Sequence, residues 1–281
     1  MSKVILLHID GCRVDTLRAA KTPNINYLML TGAWTMRAQT VTPSITLPVH
    51  FSIFTSMNSV EHGVLTNGAR PNVLQSAMGI IEWVKKQRKS TAMYYNWEYL
   101  RELSPPGALD SSIYINNLAE EEGDLRVAEL AAEDIIKKSP DFSFVYLGCL
   151  DEVGHAKGFG SLAYSLSLER ADKAIGHLLN TLKENDMYQD YTILLESDHG
   201  GIGYSHTQSV PEVMTVPWII NGPRIRAGEI MFEQSGSQRT LGVIDTIPTL
   251  AHCLGIPSHP SWKGRIITEA FEPEMLLQLA V

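Results

Sequence analysis

"YTILLESDHG", residues 191–200, is a short apolar run that stops abruptly at Ser197, Asp198, His199 and Gly200. An apolar run of this length without polar alternation reads as a strand buried on both faces, and such strands belong to parallel sheets covered by helices. The same pattern recurs in "KVILLHIDG" (3–11), "STAMYYN" (90–96), "FSFVYLGCLD" (142–151) and "TVPWIING" (215–222). Between these runs, "DLRVAELAAEDIIKK" (124–138) and "SLAYSLSLERADKAIGHLLNTLKEND" (161–186) carry helical periodicity. Alternating strands and amphipathic helices predict an α/β fold with a largely parallel central sheet and helices on both faces. One domain over residues 1–281 is expected, with a small cap or insertion within 64–118, where "RPN", "SPPGALDSS" and "INN" break the regularity.

Composition narrows the function classes. With 44% hydrophobic and 19% charged residues, the chain can bury an ordinary core. A net charge of -8 argues against a protein that coats nucleic acid. A bound divalent cation can still draw an anionic substrate into a cleft, because it dominates the charge of its site. Cys12, Cys149 and Cys253 are far apart and odd in number, so they are read as reduced and mostly buried. The opening "MSKVILLHIDG" reads as a first strand and not as a signal peptide, and no stretch approaches the ~20 apolar residues that span a bilayer. No membrane partner and a cytoplasmic location are expected.

Three of the apolar runs lead into aspartate: Asp10 after "VILLHI", Asp151 after "FVYLGCL" and Asp198 after "TILLES". Ligands of open α/β sheets bind beyond the carboxyl ends of the strands, where these residues fall. One such aspartate would be a turn or cap, whereas three on neighbouring strands form a carboxylate cluster that repels itself unless protonated or bridged by cations. Histidine joins the cluster: His155 stands four residues after Asp151, His199 adjoins Asp198, and His206 follows seven later. Aspartate oxygen and histidine nitrogen are the ligand types of catalytic zinc, and mixed sites also accept manganese. Three carboxylates and three imidazoles suffice for two divalent ions, the general device for in-line displacement at phosphorus. The candidate stretch for a nucleophile is "TPSITLPVHFSIFTS" (42–56), where Thr46 lies in a proline-bracketed turn. The plainer reading of Thr46 is an N-cap for a helix starting near Pro48.

The ordered set "IDGCRVD", "TPNINYL", "TPSITLPVHFSIFTS", "HGVLTNG", "DEVGH", "SDHGG" and "SH", followed by "VPWIINGP", resembles the alkaline phosphatase superfamily and, within it, the type I phosphodiesterase/nucleotide pyrophosphatase family. The likeness runs from residue 4 to about 265. It implies one metal held by Asp10, Thr46, Asp198 and His199, and a second held by Asp151, His155 and His206. It also implies that Asn67, 21 positions after Thr46, hydrogen-bonds a phosphoryl oxygen. Thr46 would attack phosphorus, and water would then cleave a phospho-threonine intermediate. The final histidine departs from the family's usual T-H-G context, standing instead in "SHTQ".

The expected activity is therefore hydrolysis of a phosphodiester or nucleotide pyrophosphate bond with two divalent ions, zinc before manganese, on a small phosphoester that can be a nucleotide. A phosphomonoesterase or phosphonate hydrolase is the alternative, and it would want cations on the far side of phosphorus, for which Arg13 and Arg70 are the candidates. An inactive metal-binding scaffold is the alternative from another class. A sulfatase lacks support because no Cys/Ser-x-Pro-x-Arg motif stands at 44–50. Asn67 in "TNG" is also an ordinary turn signal. His8, His50, His62, His177, His252 and His259 read as packing, turn or surface residues, and Tyr95 and Trp97 as core aromatics or a stacking surface for a leaving group.

Overall fold

A computed structural model describes residues 2–68, 71, 73, 77–231 and 240–273. Eight strands form one sheet: β1 (Lys3–Ile9), β2 (Ala33–Gln39), β3 (Thr91–Tyr95), β4 (Ser111–Tyr114), β5 (Phe142–Leu147), β6 (Tyr191–Glu196), β7 (Thr215–Asn221) and β8 (Gly228–Glu229). Their order is β4-β3-β5-β1-β6-β7-β2-β8. Strands β4 through β6 in that order are parallel, and β7 runs antiparallel to both of its neighbours. The expected α/β class with a mostly parallel sheet is therefore what the chain adopts.

The reason lies in the strands themselves. Every residue of β3, β5 and β6 is buried, as is β1 after Lys3. Side chains alternate between faces, so Val4 and Leu6 join one core cluster while Ile5, Leu7 and Ile9 join the other. Helices Thr46–Thr55, Ile80–Lys86 and Thr246–Leu254 cover the first face. Helices Gly123–Lys138 and Leu162–Glu184 cover the second. The stretch 64–118, expected to cap the sheet, supplies β3 and β4 to its edge and brings Asn67 and Trp97 to the cleft described below.

Strand β1 lies between β5 and β6, with Ile9 beside Leu147 and His8 beside Glu196. The segments carrying Asp10, Asp151 and Asp198 thus leave three adjacent strands at the same end of the sheet. Asp151 sits one step further on than its sequence suggests, inside helix Cys149–Lys157. Asp151 and His155 are then one helical turn apart on the same face. Of the acidic run at 120–124, Asp124 is buried and accepts hydrogen bonds from Asn96 Nδ2 at 3.1 Å and the Cys149 amide at 3.2 Å. All three cysteines are free and buried.

Candidate active site

Thr46 is the first residue of helix Thr46–Thr55, Ile45 stands at the N-cap without a side-chain cap, and the Thr46 hydroxyl pairs with His199 and not with the helix. The capping role falls to Asn67, whose Oδ1 accepts the Leu47 amide at 2.9 Å. Released from that role, Thr46 Oγ1 lies 3.4 Å from His199 Nε2. Asp10, Thr46, Asn67, Asp151, His155 and His206 line one cleft of about 170 Å³. Asp198 and His199, both fully buried, sit beneath it.

Two ligand groups are brought together, each with donor atoms within 4.8 Å of one another: Asp10, Asp198 and His199, and Asp151, His155 and His206. All three imidazoles are oriented from behind. His199 Nδ1 donates to the Gly200 carbonyl at 2.9 Å, His206 Nδ1 to Ser44 at 2.7 Å, and His155 Nδ1 to Tyr204 at 2.9 Å. In the neutral ring such bonds fix the tautomer and leave Nε2 with a lone pair, which is the arrangement of metal-binding histidines. The rings of His199 and His206 stack with centroids 3.7 Å apart and planes within 9°, so the two groups share a wall.

The carboxylates tell the same story. Asp10 Oδ1, Asp151 Oδ1 and Asp198 Oδ2 are buried and have no hydrogen-bond partner. Burial, with the negative charges of Asp198 and Asp151, pushes the Asp10 carboxyl well above its ordinary range. Burial also works to raise Asp198, but the imidazoles of His199, His8 and His50 outweigh it and hold that carboxyl well below. The Asp151 carboxylate raises His155 to about 9, and burial together with His199 lowers His206. Three bare acidic oxygens beside three presented nitrogens are a donor set suited to divalent cations, which would relieve the crowded negative charge.

Asp10, Thr46, Asn67, Asp151, His155, Asp198, His199 and His206, named from the sequence, thus lie together. Arg13 is not: its guanidinium donates to Asp15 at 2.9 Å and to the Gly201 carbonyl at 3.0 Å, away from the cleft. Arg70 lies outside the described residues. Trp97 lines the cleft as a half-buried residue, whereas Tyr95 belongs to the core beside it. Sequence reading passed over Leu118, Tyr146 and Glu152, which also line the cleft, and His8, whose Nε2 lies 3.3 Å from Asp198 Oδ1. His8 stands on β1 two residues before Asp10, which follows the strand's end. A third group, His8, His50 and Asp198, is close enough to be considered for a metal. His50 Nδ1 donates to the Thr46 carbonyl at 2.8 Å, which leaves the lone pair on Nε2, a buried atom with no hydrogen-bond partner.

Residues 4–215 match the family described as type I phosphodiesterase / nucleotide pyrophosphatase, and the chain belongs to that family. It is 27% identical over 253 residues to ectonucleotide pyrophosphatase/phosphodiesterase family member 3 of Rattus norvegicus, covering 81% of this chain and 29% of the relative. It is 28% identical over 218 residues to the venom phosphodiesterase of Naja atra, covering 71% of this chain and 26% of that protein. The chain thus spans under a third of the length of these relatives. Among solved structures, an inactive murine ectonucleotide pyrophosphatase / phosphodiesterase 5 in complex with AMP superposes with a TM-score of 0.76 at 15% identity, over 97% of this chain and all of that one. A 2-O GAG sulfatase superposes with a TM-score of 0.75 at 11% identity, over 96% of this chain and 74% of that one. These two likenesses establish the alkaline phosphatase-like fold.

Proposed function

We propose that the protein is a two-metal hydrolase of phosphodiester or nucleotide pyrophosphate bonds, with Thr46 as nucleophile. The observation that carries this reading is the convergence of the uncapped Thr46 hydroxyl with three bare carboxylate oxygens and three imidazole Nε2 atoms. Asp10, Thr46, Asp198 and His199 would hold one divalent ion and Asp151, His155 and His206 the other, zinc being the best fit to mixed oxygen and nitrogen donors. Such ions, when bound, supply the acidity that makes a hydroxyl nucleophilic and the charge that stabilises a departing oxygen.

The chain's own part is positioning. Thr46 Oγ1 forms the new bond to phosphorus as the alcohol or nucleotide leaves, and water then cleaves the phospho-threonine to restore the hydroxyl. Asn67, anchored through Oδ1 to the Leu47 amide, keeps its NH₂ group for a phosphoryl oxygen. Stacked His199 and His206 hold the two ligand groups at a fixed spacing.

A diester is preferred to a monoester because no Lys or Arg is among the described residues lining the cleft, and Arg13 is tied elsewhere. The complete ligand set and free nucleophile argue against an inactive scaffold. The names of the rat and cobra relatives and the AMP bound to the murine neighbour support a nucleotide as substrate. The test is a panel of bis-p-nitrophenyl phosphate, p-nitrophenyl phosphate, the p-nitrophenyl ester of thymidine monophosphate and phosphonoacetate, run on zinc-reconstituted protein. Diesters should turn over fastest, with Thr46→Ala reducing every rate by at least about 10³-fold. Equal rates for wild type and Thr46→Ala would sink the assignment.

A further inference from the structure

Beneath the carboxylates, strand register places Tyr146 of β5, His8 of β1 and Glu196 of β6 side by side. Residues in register on parallel strands share a face, so the three form one polar row across the sheet. Tyr146 and His8 are buried, their rings 5.9 Å apart and within 12° of parallel. Glu196 turns to Thr246, whose hydroxyl it accepts at 2.7 Å. The other two reach up to the site.

The Tyr146 hydroxyl donates to Asp10 Oδ2 and leaves Oδ1 bare. Asp198 Oδ1 accepts the Gly11 amide at 3.1 Å, and His8 Nε2, a buried atom with no hydrogen-bond partner, stands 3.3 Å from it, while Asp198 Oδ2 is bare. The two bare oxygens stand 3.6 and 3.2 Å from the same atom, His199 Nε2. Each carboxylate is thus held from behind by one oxygen and presents the other. Asp151 lacks such a backing group: the neighbour of its Oδ2, at 3.3 Å, is His155, itself a candidate ligand with 41% of its side chain exposed.

Resting on the metal-centre reading above, we propose that Tyr146 and His8 are positioning residues that set Asp10 and Asp198 to offer one oxygen each. They make the buried group the tighter of two unequal metal sites. A ligand already oriented loses little freedom when an ion arrives, and partners behind metal ligands typically alter affinity by about 10–100-fold. A row with no role beyond packing would instead affect both sites together, through the fold.

The test is a zinc titration of the full-length chain against a chromophoric chelator, with far-UV circular dichroism and the Tm of the metal-free proteins alongside. Wild type should bind two equivalents of different affinity. Tyr146→Phe and His8→Leu should each weaken the tighter equivalent by about 10–100-fold and leave the weaker one unchanged, while His8→Gln, which retains a donor, should recover most of the loss. Two equal wild-type sites, variants that bind as wild type does, or variants that lose both equivalents together would each overturn the proposal. Fewer than two equivalents in wild type would overturn the metal-centre reading itself, a separate result.

Discussion

Asn67 Oδ1 caps the helix that Thr46 begins, accepting the Leu47 amide at 2.9 Å from 20 residues away. The bond holds the helix of the proposed nucleophile and orients the NH₂ group of Asn67 at once. Asn67→Ala should therefore lose two things: about 1 kcal/mol of stability, read as a Tm lower by about 2 °C, and about 10²-fold in turnover. A variant that keeps wild-type turnover with the lowered Tm would leave Asn67 as a cap alone.

Metal should stabilise the fold as well as enable turnover, because cations relieve the mutual repulsion of three converging aspartates. Adding zinc to chelator-treated protein should raise Tm by several degrees and restore activity. His206→Ala should bind one equivalent fewer and show a smaller rise. A Tm indifferent to zinc in wild type would argue against this.

Gly11 has a positive φ of +68°, and a Cβ there would come within 2.7 Å of Asp151 Oδ1. Its amide also holds Asp198. Gly11→Ala should strain the backbone by about 1–2 kcal/mol, displace Asp151 and reduce zinc stoichiometry from two toward one. Unchanged stoichiometry and Tm would show that the loop accommodates a side chain.

His62 is fully buried; its Nδ1 accepts the Val64 amide at 3.2 Å and its Nε2 donates to Ser52 Oγ at 2.9 Å. Burial lowers it from 6.5 to about 4, so folding favours the neutral ring. The folded value being depressed, its stabilisation is present above pH ~6.5 and lost as pH falls toward 4, where the unfolded chain binds the extra proton. Urea unfolding should show about 2 kcal/mol lost between pH 7 and pH 5 through this group, and His62→Gln should flatten that slope. An equal slope in the variant would remove His62 as its source.

The parts of the molecule legible in the sequence were those where local pattern and tertiary role coincide. β1, β3, β5, β6 and β7 announce themselves as apolar runs, and the helices Gly123–Lys138 and Leu162–Glu184 agree with the periodicity to within two residues at each end. β2, "AWTMRAQ", escapes notice because Arg37 and Gln39 are exposed near the sheet edge, and β8 is only two residues long. Asp10, Asp198 and His199 could be read because strand ends are where ligands gather. Tyr146 and His8 could not be assigned, since their roles depend on which strands are neighbours, a fact that no single strand carries. Thr46 and Asn67 show the same limit: each has a cap-like local signature, and only the folded chain reveals that Asn67 caps and Thr46 does not.

Ser44 and His206, 162 residues apart, exchange two hydrogen bonds: the Ser44 hydroxyl donates to the His206 carbonyl at 2.6 Å and His206 Nδ1 to the Ser44 carbonyl at 2.7 Å. A residue of the more open group is thereby clasped to the segment that delivers Thr46. The clasp ties the loop carrying His206 to the segment leading into Thr46, so that two distant stretches of the chain close the cleft as one piece.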